Sequence, residues 1–509
     1  MTQTLILTSF VVYLFVMVYI GYYYGKKKTN NSAEFYLGGR QLGPLVAAMS
    51  AEASDMSSWL LMGIPGLAFV TGLADPFWTV LGLGIGTYLN WLYVTLRLRR
   101  YTVRVGAVTI PEFFSKRFHD RRNILMCISA IIILIFFVPY TASGFKAVGT
   151  LLNSLFGFPY HESMIVGACI IVAYTVMGGF MAVSTTDLIQ SIVMTLALAF
   201  IVIFAIDKAG GIDTVITNAE KLSGYFSLSA SHDIATGSSK PYGLITIIST
   251  MAWGLGYFGM PHILLRFMAI KDEKQIPISR RIATTWVFIS MFVAIAIGII
   301  GYSVAEAGII TQFKTTSAAE STIIELSHVL ATNGMLAALA AGVVLAGILA
   351  CTMSTADSQL LTAASSFSDN ILQDVLHVRV SPQTSMIVAR LTIIAVACIA
   401  LVLAWNPDSS IFNIVSFAWA GFGAAFGPVM LSSLFWKRTT LAGAIGGMVA
   451  GAVMIFVWKY GVRPIGGVWD IYELLPAFLV SSVVIVTVSL LTKRPDDGIL
   501  ADFDYASQH

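Results

Sequence analysis

The sequence predicts an all-α polytopic membrane protein of about 13 transmembrane helices, organised around two inverted five-helix units. Three observations carry this. Of 509 residues, 57% are hydrophobic and only 11% charged, against about 25% charged in soluble domains. The apolar residues fall in runs long enough to cross a bilayer. The two runs that open the proposed units are both interrupted by small or helix-breaking residues.

The runs lie at roughly 5–25, 42–71, 76–96, 123–153, 162–180, 186–207, 241–268, 283–306, 334–366, 384–405, 410–436, 440–460 and 473–492. The fourth and ninth exceed the ~20 residues a crossing needs, so they tilt or protrude. The first has no basic residue before it and Lys26, Lys27 and Lys28 after it. A secretory signal has the opposite arrangement, so this run reads as a retained span.

Most of the 30 Lys and Arg residues fall in alternate connections. These include Arg40; Arg97, Arg99, Arg100, Arg104, Lys116, Arg117, Arg121 and Arg122; Arg266, Lys271, Lys274, Arg280 and Arg281; Arg379 and Arg390; and Lys437, Arg438, Lys493 and Arg494. The positive-inside rule makes that side the cytoplasm, with the N-terminus outside and the C-terminus inside. The chain then divides into 1–41 (first span and cytoplasmic loop), 42–207 (first repeat), 208–240 (external loop), 241–436 (second repeat) and 437–509 (last two spans and tail). The external connections at about 208–240 and 307–333 are rich in Ser, Thr, Gly and Ala, compatible with mobile loops or short surface helices.

Composition excludes several function classes. The net charge of +3 is too small to indicate nucleic acid. Cys127, Cys169, Cys351 and Cys398 all fall in spans without a CxxC pair, so neither a disulfide framework nor a zinc site is indicated. His262 alone among the histidines sits well within a span, which argues against a haem bundle. There is no GxxxxGK[ST] loop for nucleotide hydrolysis and no GxSxG elbow for a serine hydrolase. Secondary transport remains, against a channel or sensor.

Span two carries Glu52-Ala53-Ser54-Asp55-Met56-Ser57-Ser58 in an otherwise apolar run. A carboxylate near the midplane costs at least ~2.5–3.5 kcal/mol, so Asp55 and Glu52 need a cation, a donor, water or a proton. The small polar side chains compete with the helix ladder for backbone bonds. The stretch therefore reads as an interrupted helix whose freed carbonyls can hold a small cation. Five spans later, Trp253-Gly254-Leu255-Gly256-Tyr257-Phe258-Gly259-Met260-Pro261 concentrates helix breakers in span seven. An odd number of spans per unit makes the two units inverted, and breaks at corresponding positions mark a midplane site.

Span nine offers Cys351-Thr352-Met353-Ser354-Thr355-Ala356-Asp357-Ser358. Sodium is a hard cation and prefers oxygen ligands. The Ser354 and Thr355 hydroxyls and the Cys351 carbonyl can supply three, and the Ala53 and Met56 carbonyls two more; the same hydroxyls can instead bond back to their own helix. Asp357 stands at the inner end of such a site or in a wet crevice. Tyr140, Trp253 and Tyr257 can cage a small organic ligand, or simply pack. Asp187 opens span six, as a helix cap or as a receiver for a departing cation. Arg40 precedes span two, as a gate residue or a headgroup anchor.

At these residues the chain resembles the solute:sodium symporter family, from about residue 5 to 495. The resemblance rests on Ser54-Asp55-Met56-Ser57 with Trp59-Leu60-Leu61-Met62-Gly63, on Trp253 to Gly259 with Pro261-His262-Ile263-Leu264, on Met353-Ser354-Thr355 with Gln359-Leu360-Leu361, and on Ala418-Trp419-Ala420-Gly421-Phe422-Gly423-Ala424-Ala425-Phe426-Gly427-Pro428. It implies a five-plus-five inverted-repeat (LeuT-like) core and coupling to one sodium ion. It implies sodium ligands at Ala53, Met56, Cys351, Ser354 and Thr355, with Asp55 required indirectly. Within the family the similarity is greatest to members that carry L-proline, which places the solute at Ser57, Tyr140, Trp253, Tyr257 and Pro261. Asp187 is thereby linked to ion passage and Arg40 to coupling near the inner face. The chain departs from the family pattern at Glu52, Ser58 and Cys351; a carbonyl ligand survives the last change. The expected function is sodium-coupled uptake of L-proline across the bacterial inner membrane by alternating access, with no covalent chemistry and no nucleic-acid partner. The rivals are a same-family symporter for another solute, and a transporter-like sensor or channel; a sensor should carry an added signalling domain, and only a short tail follows the last span.

Overall fold

The computed structural model describes residues 2–26, 32–378 and 381–507. Lys27, Lys28 and Arg379, three of the basic residues expected on the inner side, lie outside these. The long helices are α1 (Thr2–Gly25), α2 (Pro44–Ser58), α3 (Ile64–Thr71), α4 (Ala74–Leu89), α5 (Ile124–Phe156), α6 (Tyr160–Lys208), α7 (Leu244–Met251), α8 (Pro261–Ala269), α9 (Ile276–Glu306), α10 (Met335–Ser365), α11 (Pro382–Leu403), α12 (Ile411–Phe435), α13 (Leu441–Val457) and α14 (Leu474–Leu491).

Among the described residues ten helices are each long and apolar enough to cross a membrane, and the bent pair Leu244–Gly259 with Pro261–Ala269, angled by 47°, makes an eleventh. The two other expected spans are helical but cut short. Span two is divided at Ser57 between α2 and α3. Span five is joined to span six in α6, which bends at Gly179, where φ is 62°. Glycine adopts that φ without steric cost, so the chain turns there without a loop.

α10 lies at the centre and packs against α6, α1, α5 and α2. From Ala338 inward almost every side chain of α10 is buried, including a run of Ser, Thr and Asp. A helix apolar all round is a core helix; one that buries hydroxyls and an acid in the core must find them partners. α4 meets span seven main chain to main chain. A Cβ on Gly254 would stand 2.2 Å from the Gly82 carbonyl oxygen, and one on Gly86 2.2 Å from that of Gly254. Only glycine permits this approach.

The connections expected on the inner side do meet one another. Arg99 Nε donates to the Ile270 carbonyl at 2.6 Å, and Arg100 Nε to Glu273 at 2.8 Å. The tail folds into a further helix, α15 (Asp497–Ser507), whose Asp502 pairs with Arg104 at 2.9 Å. At the opposite end the expected surface segments are ordered. One of them contains the only strands among the described residues, a hairpin of β1 (Ala230–Asp233) and β2 (Ser238–Pro241). The other buries Glu320, which accepts the N–H groups of Ile411 and Phe412, both at 3.1 Å, at the start of α12. Lys146 pairs with the same carboxylate at 3.4 Å. A carboxylate at a helix N-terminus is favoured by the unsatisfied N–H groups there.

Candidate functional site

Span two breaks at Ser57, where φ is 31° and ψ is −173°. A positive φ at a residue with a Cβ is strained and is held only by its surroundings. Those surroundings are hydrogen bonds. Ser57 N–H donates to Thr355 Oγ1 at 3.0 Å, and Ser57 Oγ accepts the Trp59 N–H at 3.1 Å. Beyond the break, Trp59–Gly63 forms a widened π turn before the helix resumes.

Across the break stands α10. Ser354 Oγ donates to the Ala53 carbonyl at 2.8 Å and lies 3.1 Å from the Cys351 carbonyl. Thr355 Oγ1 donates to the same Cys351 carbonyl at 3.2 Å. Ala53, Cys351, Ser354 and Thr355 therefore converge in one buried cluster of neutral oxygens, the donor chemistry of a hard monovalent cation. The Met56 carbonyl accepts the Trp59 N–H instead and stands apart from this hydrogen-bonded cluster.

Asp55 is 5% exposed and has two tyrosines on it. Tyr257 O–H donates to Asp55 Oδ2 at 2.6 Å, and Tyr140 O–H to the Asp55 carbonyl at 3.2 Å. Two predicted solute residues from two different helices thus meet at the predicted coupling acid. Glu52, which the sequence leaves without a role, accepts from Trp91 Nε1 at 2.8 Å.

Trp253 and Tyr257 lie on the tight stretch Ala252–Gly259, and Pro261 begins α8 after the bend. Trp253 stacks on Trp59 at 5.6 Å and on Tyr472 at 5.1 Å. Its carbonyl accepts from Trp419 Nε1 at 2.8 Å, while Tyr257 meets the Trp419 ring edge-on at 5.1 Å. Trp419 therefore sets the position of both. It fits because Gly256 leaves room: a Cβ there would fall 1.9 Å from Trp419 Nε1. Gly256→Ala is expected to overpack this contact and cost about 1–3 kcal/mol, read as a lower melting temperature of the purified protein; an unchanged melting temperature would show that Trp419 can move aside freely.

Asp187 and Arg40 lie away from the cluster, toward the basic end. Asp187 is fully buried and pairs with Arg266 at 3.2 Å. Asp357 is fully buried too, which removes the wet-crevice alternative. Arg40 Nη1 donates to the Met268 carbonyl and Nη2 to the Ala107 carbonyl, both at 2.6 Å, so it clasps two inner connections. Burial, with Arg99 nearby, pushes its guanidinium down to about 10, so it stays charged at neutral pH. Arg266, grouped by sequence with loop charges, is instead 1% exposed inside the bundle. Its place within the predicted seventh span, in a chain with a buried acid to pair, was the available signal.

The model of the Sodium:solute symporter family matches residues 35–451. The chain belongs to that family. Sodium/proline symporters of Staphylococcus aureus, strains USA300 and JH9 among them, are 39% identical over 517 residues, covering 99% of this chain and 95% of theirs. Among solved structures, a sodium-coupled sialic acid symporter in a substrate-bound outward-open state superimposes with a TM-score of 0.79 at 18% identity, covering 97% of this chain and 99% of that one. A nucleobase-cation-symport-1 family transporter, closed with bromovinylhydantoin bound, gives a TM-score of 0.56 at 14% identity, covering 93% and 99%. The fold is thus that of the LeuT-like sodium symporters. This family member is a multi-pass plasma-membrane transporter that couples solute uptake to sodium, as its bacterial relatives do.

Proposed function

We propose that the chain takes up L-proline together with sodium by alternating access. The observation that carries this reading is the staple across the Ser57 break, where α10 hydroxyls bond Ala53 and Ser57 at 2.8 and 3.0 Å. Sodium would be held by the lone pairs of these carbonyl and hydroxyl oxygens, the hydroxyls keeping their protons and turning them away from the ion, and it draws the same two helices together. The Ala53, Cys351, Ser354 and Thr355 oxygens hold it, and Met56 joins as the break tightens.

Binding the ion fixes the Ser57 backbone, and that backbone sets Asp55. Asp55 holds Tyr257 and Tyr140, so the ion's presence is transmitted to the solute residues through the two tyrosine hydroxyls. Ser57, Tyr140, Trp253, Tyr257 and Pro261 then bind the solute. L-proline is the choice because the relatives that cover the chain end to end are named for it. A ligand pair that binds one conformation better shifts the population toward it. With the basic end facing the cytoplasm, a potential of ~100 mV contributes about 2.3 kcal/mol per charge, roughly 50-fold accumulation.

The test is uptake of labelled L-proline into proteoliposomes of the purified protein, with an inward sodium gradient compared with potassium at matched potential. Transient accumulation that requires sodium and is displaced by unlabelled proline alone supports the reading. Sodium-dependent uptake displaced by a different solute keeps the mechanism and replaces proline.

A further inference from the structure

Tyr472 belongs to the connection between α13 and α14, outside the two five-helix units expected at 42–207 and 241–436. It is nonetheless buried, and it is held at three points. Its ring stacks on Trp253, with centroids 5.1 Å apart and planes 21° from parallel. Its O–H donates to the Ser416 carbonyl of α12 at 2.7 Å. Its main-chain N–H donates to Ser249 Oγ of α7, also at 2.7 Å. One residue from the end of the chain thus touches span seven, the first turns of α12 and the predicted solute tryptophan. The segment that carries it is itself fixed. The side chain of Glu473, next in the chain, is 0% exposed; it accepts from Arg463 Nη1 at 2.9 Å, and its other oxygen lies 3.5 Å from Lys459 Nζ. Arg463 Nε donates to Asp470 at 2.9 Å. A buried carboxylate with its counter-charges in place is costly to disturb. Behind it, Leu474 and Phe478 of α14 pack over Gly423 and Gly427 of α12.

Trp253 needs such support. It lies on the stretch Ala252–Gly259, where Gly254, Gly256 and Gly259 carry no side chains to brace it. The orientation of the indole therefore comes from the rings around it. Trp59, Phe412 and Tyr472 supply them, with centroids at 5.6, 5.4 and 5.1 Å. Trp59 follows the Ser57 break, and Phe412 is the second residue of α12. The start of α12 lies at the end opposite the basic connections, so these rings form the wall of the proposed solute site that faces that end. A wall of fixed aromatic rings sorts solutes by size, because one methylene in an apolar pocket is worth about 10- to 200-fold in discrimination.

We propose that Tyr472 is a positioning residue that sets solute specificity: the last two spans supply the ring that fixes Trp253, and with it the size of solute ring the site admits. Tyr472 acts on the solute through Trp253. Its hydroxyl and main-chain tethers hold the phenol in the plane that the indole needs, and the ion pairs of Glu473 hold the segment in place. Without the phenol the indole turns, the wall recedes and a larger ring is admitted. The proposal rests on the placing of L-proline against Trp253.

The test is uptake of labelled L-proline into proteoliposomes, competed by unlabelled L-proline and by L-pipecolate, its six-membered-ring homologue, with sodium binding to the purified protein measured alongside. Tyr472→Ala is expected to raise the KM for proline about two- to tenfold, the equivalent of one stacked aromatic pair. The ratio of the pipecolate to the proline inhibition constant should fall by a similar factor, and sodium binding without solute should stay as in the wild type. Tyr472→Phe keeps the ring and should keep the ratio within about twofold of the wild type, since it loses one neutral hydrogen bond and no stacking. Where Tyr472→Ala does not fold, Tyr472→Leu keeps apolar bulk, loses the stacked ring and should shift the ratio in the same direction. A folded Ala or Leu variant with an unchanged ratio overturns the proposal, as does a Phe variant shifted as far as either. Loss of folding in both Ala and Leu variants makes Tyr472 a core residue and also overturns it. If Trp253→Ala leaves proline affinity and the ratio unchanged, it is the placing of the solute at Trp253 that fails, and the role of Tyr472 with it.

Discussion

Asp55→Asn is expected to remove sodium-dependent uptake while leaving the protein folded. The substitution changes charge and little volume. What it weakens is specific: the Tyr257 hydroxyl donates to Asp55 Oδ2 at 2.6 Å, and the amide cannot carry the charge that a sodium-loaded site would favour on this carboxyl. A hydrogen bond to a charged group contributes about 1.5–3 kcal/mol, so affinity should fall by about 10- to 150-fold. Both ligands are affected, because Asp55 sits between the Ser57 break and the two tyrosines. The measurement is binding of sodium and of proline to purified protein, with uptake alongside. Full uptake by the variant would sink the argument that this acid links the ion to the solute.

Trp253→Ala is expected to separate the two ligands. The indole is 4% exposed and stacks on Trp59 and Tyr472, so its removal empties a wall of the aromatic cluster. Truncating a buried Trp costs about 3–5 kcal/mol, and if that wall contacts the solute, proline affinity should fall at least about 100-fold. Sodium binding should change far less, since no atom of Trp253 bonds Ala53, Cys351, Ser354 or Thr355. Equal loss of both would place Trp253 in the folding core and remove it from the solute site.

The sequence disclosed those parts of the site where one residue type conflicts with its surroundings. Asp55 among apolar residues and three glycines before Pro261 each break a local rule of the membrane helix, and both mark real departures from the helix. It could not disclose partnerships made across the bundle. Arg266 carries the same charge as its loop neighbours; its place in the seventh span hints at burial, and its bonds to Ser50, Asp187 and Ser358 show that it faces inward. Glu52 looked orphaned because its donor, Trp91, is 39 residues away on another element. Trp419 lay inside a motif the sequence made visible, yet its work on Trp253 and Tyr257 depends on a contact with Gly256 that no periodicity encodes. The span count differed for a related reason. Periodicity measures apolar length, whereas a helix cut by Ser57, or bent without a loop at Gly179, is a matter of backbone angle.

The glycine contact between α4 and span seven has a mechanical consequence. With carbonyls of Gly82 and Gly254 lodged where side chains would otherwise stand, neither segment can slide or rotate on the other without collision. The two form a single lever arm, and Trp253 and Tyr257 ride on it. On the proposed alternating-access cycle, the distance across this pair is expected to stay fixed, a ruler against which the travel of every other helix can be measured.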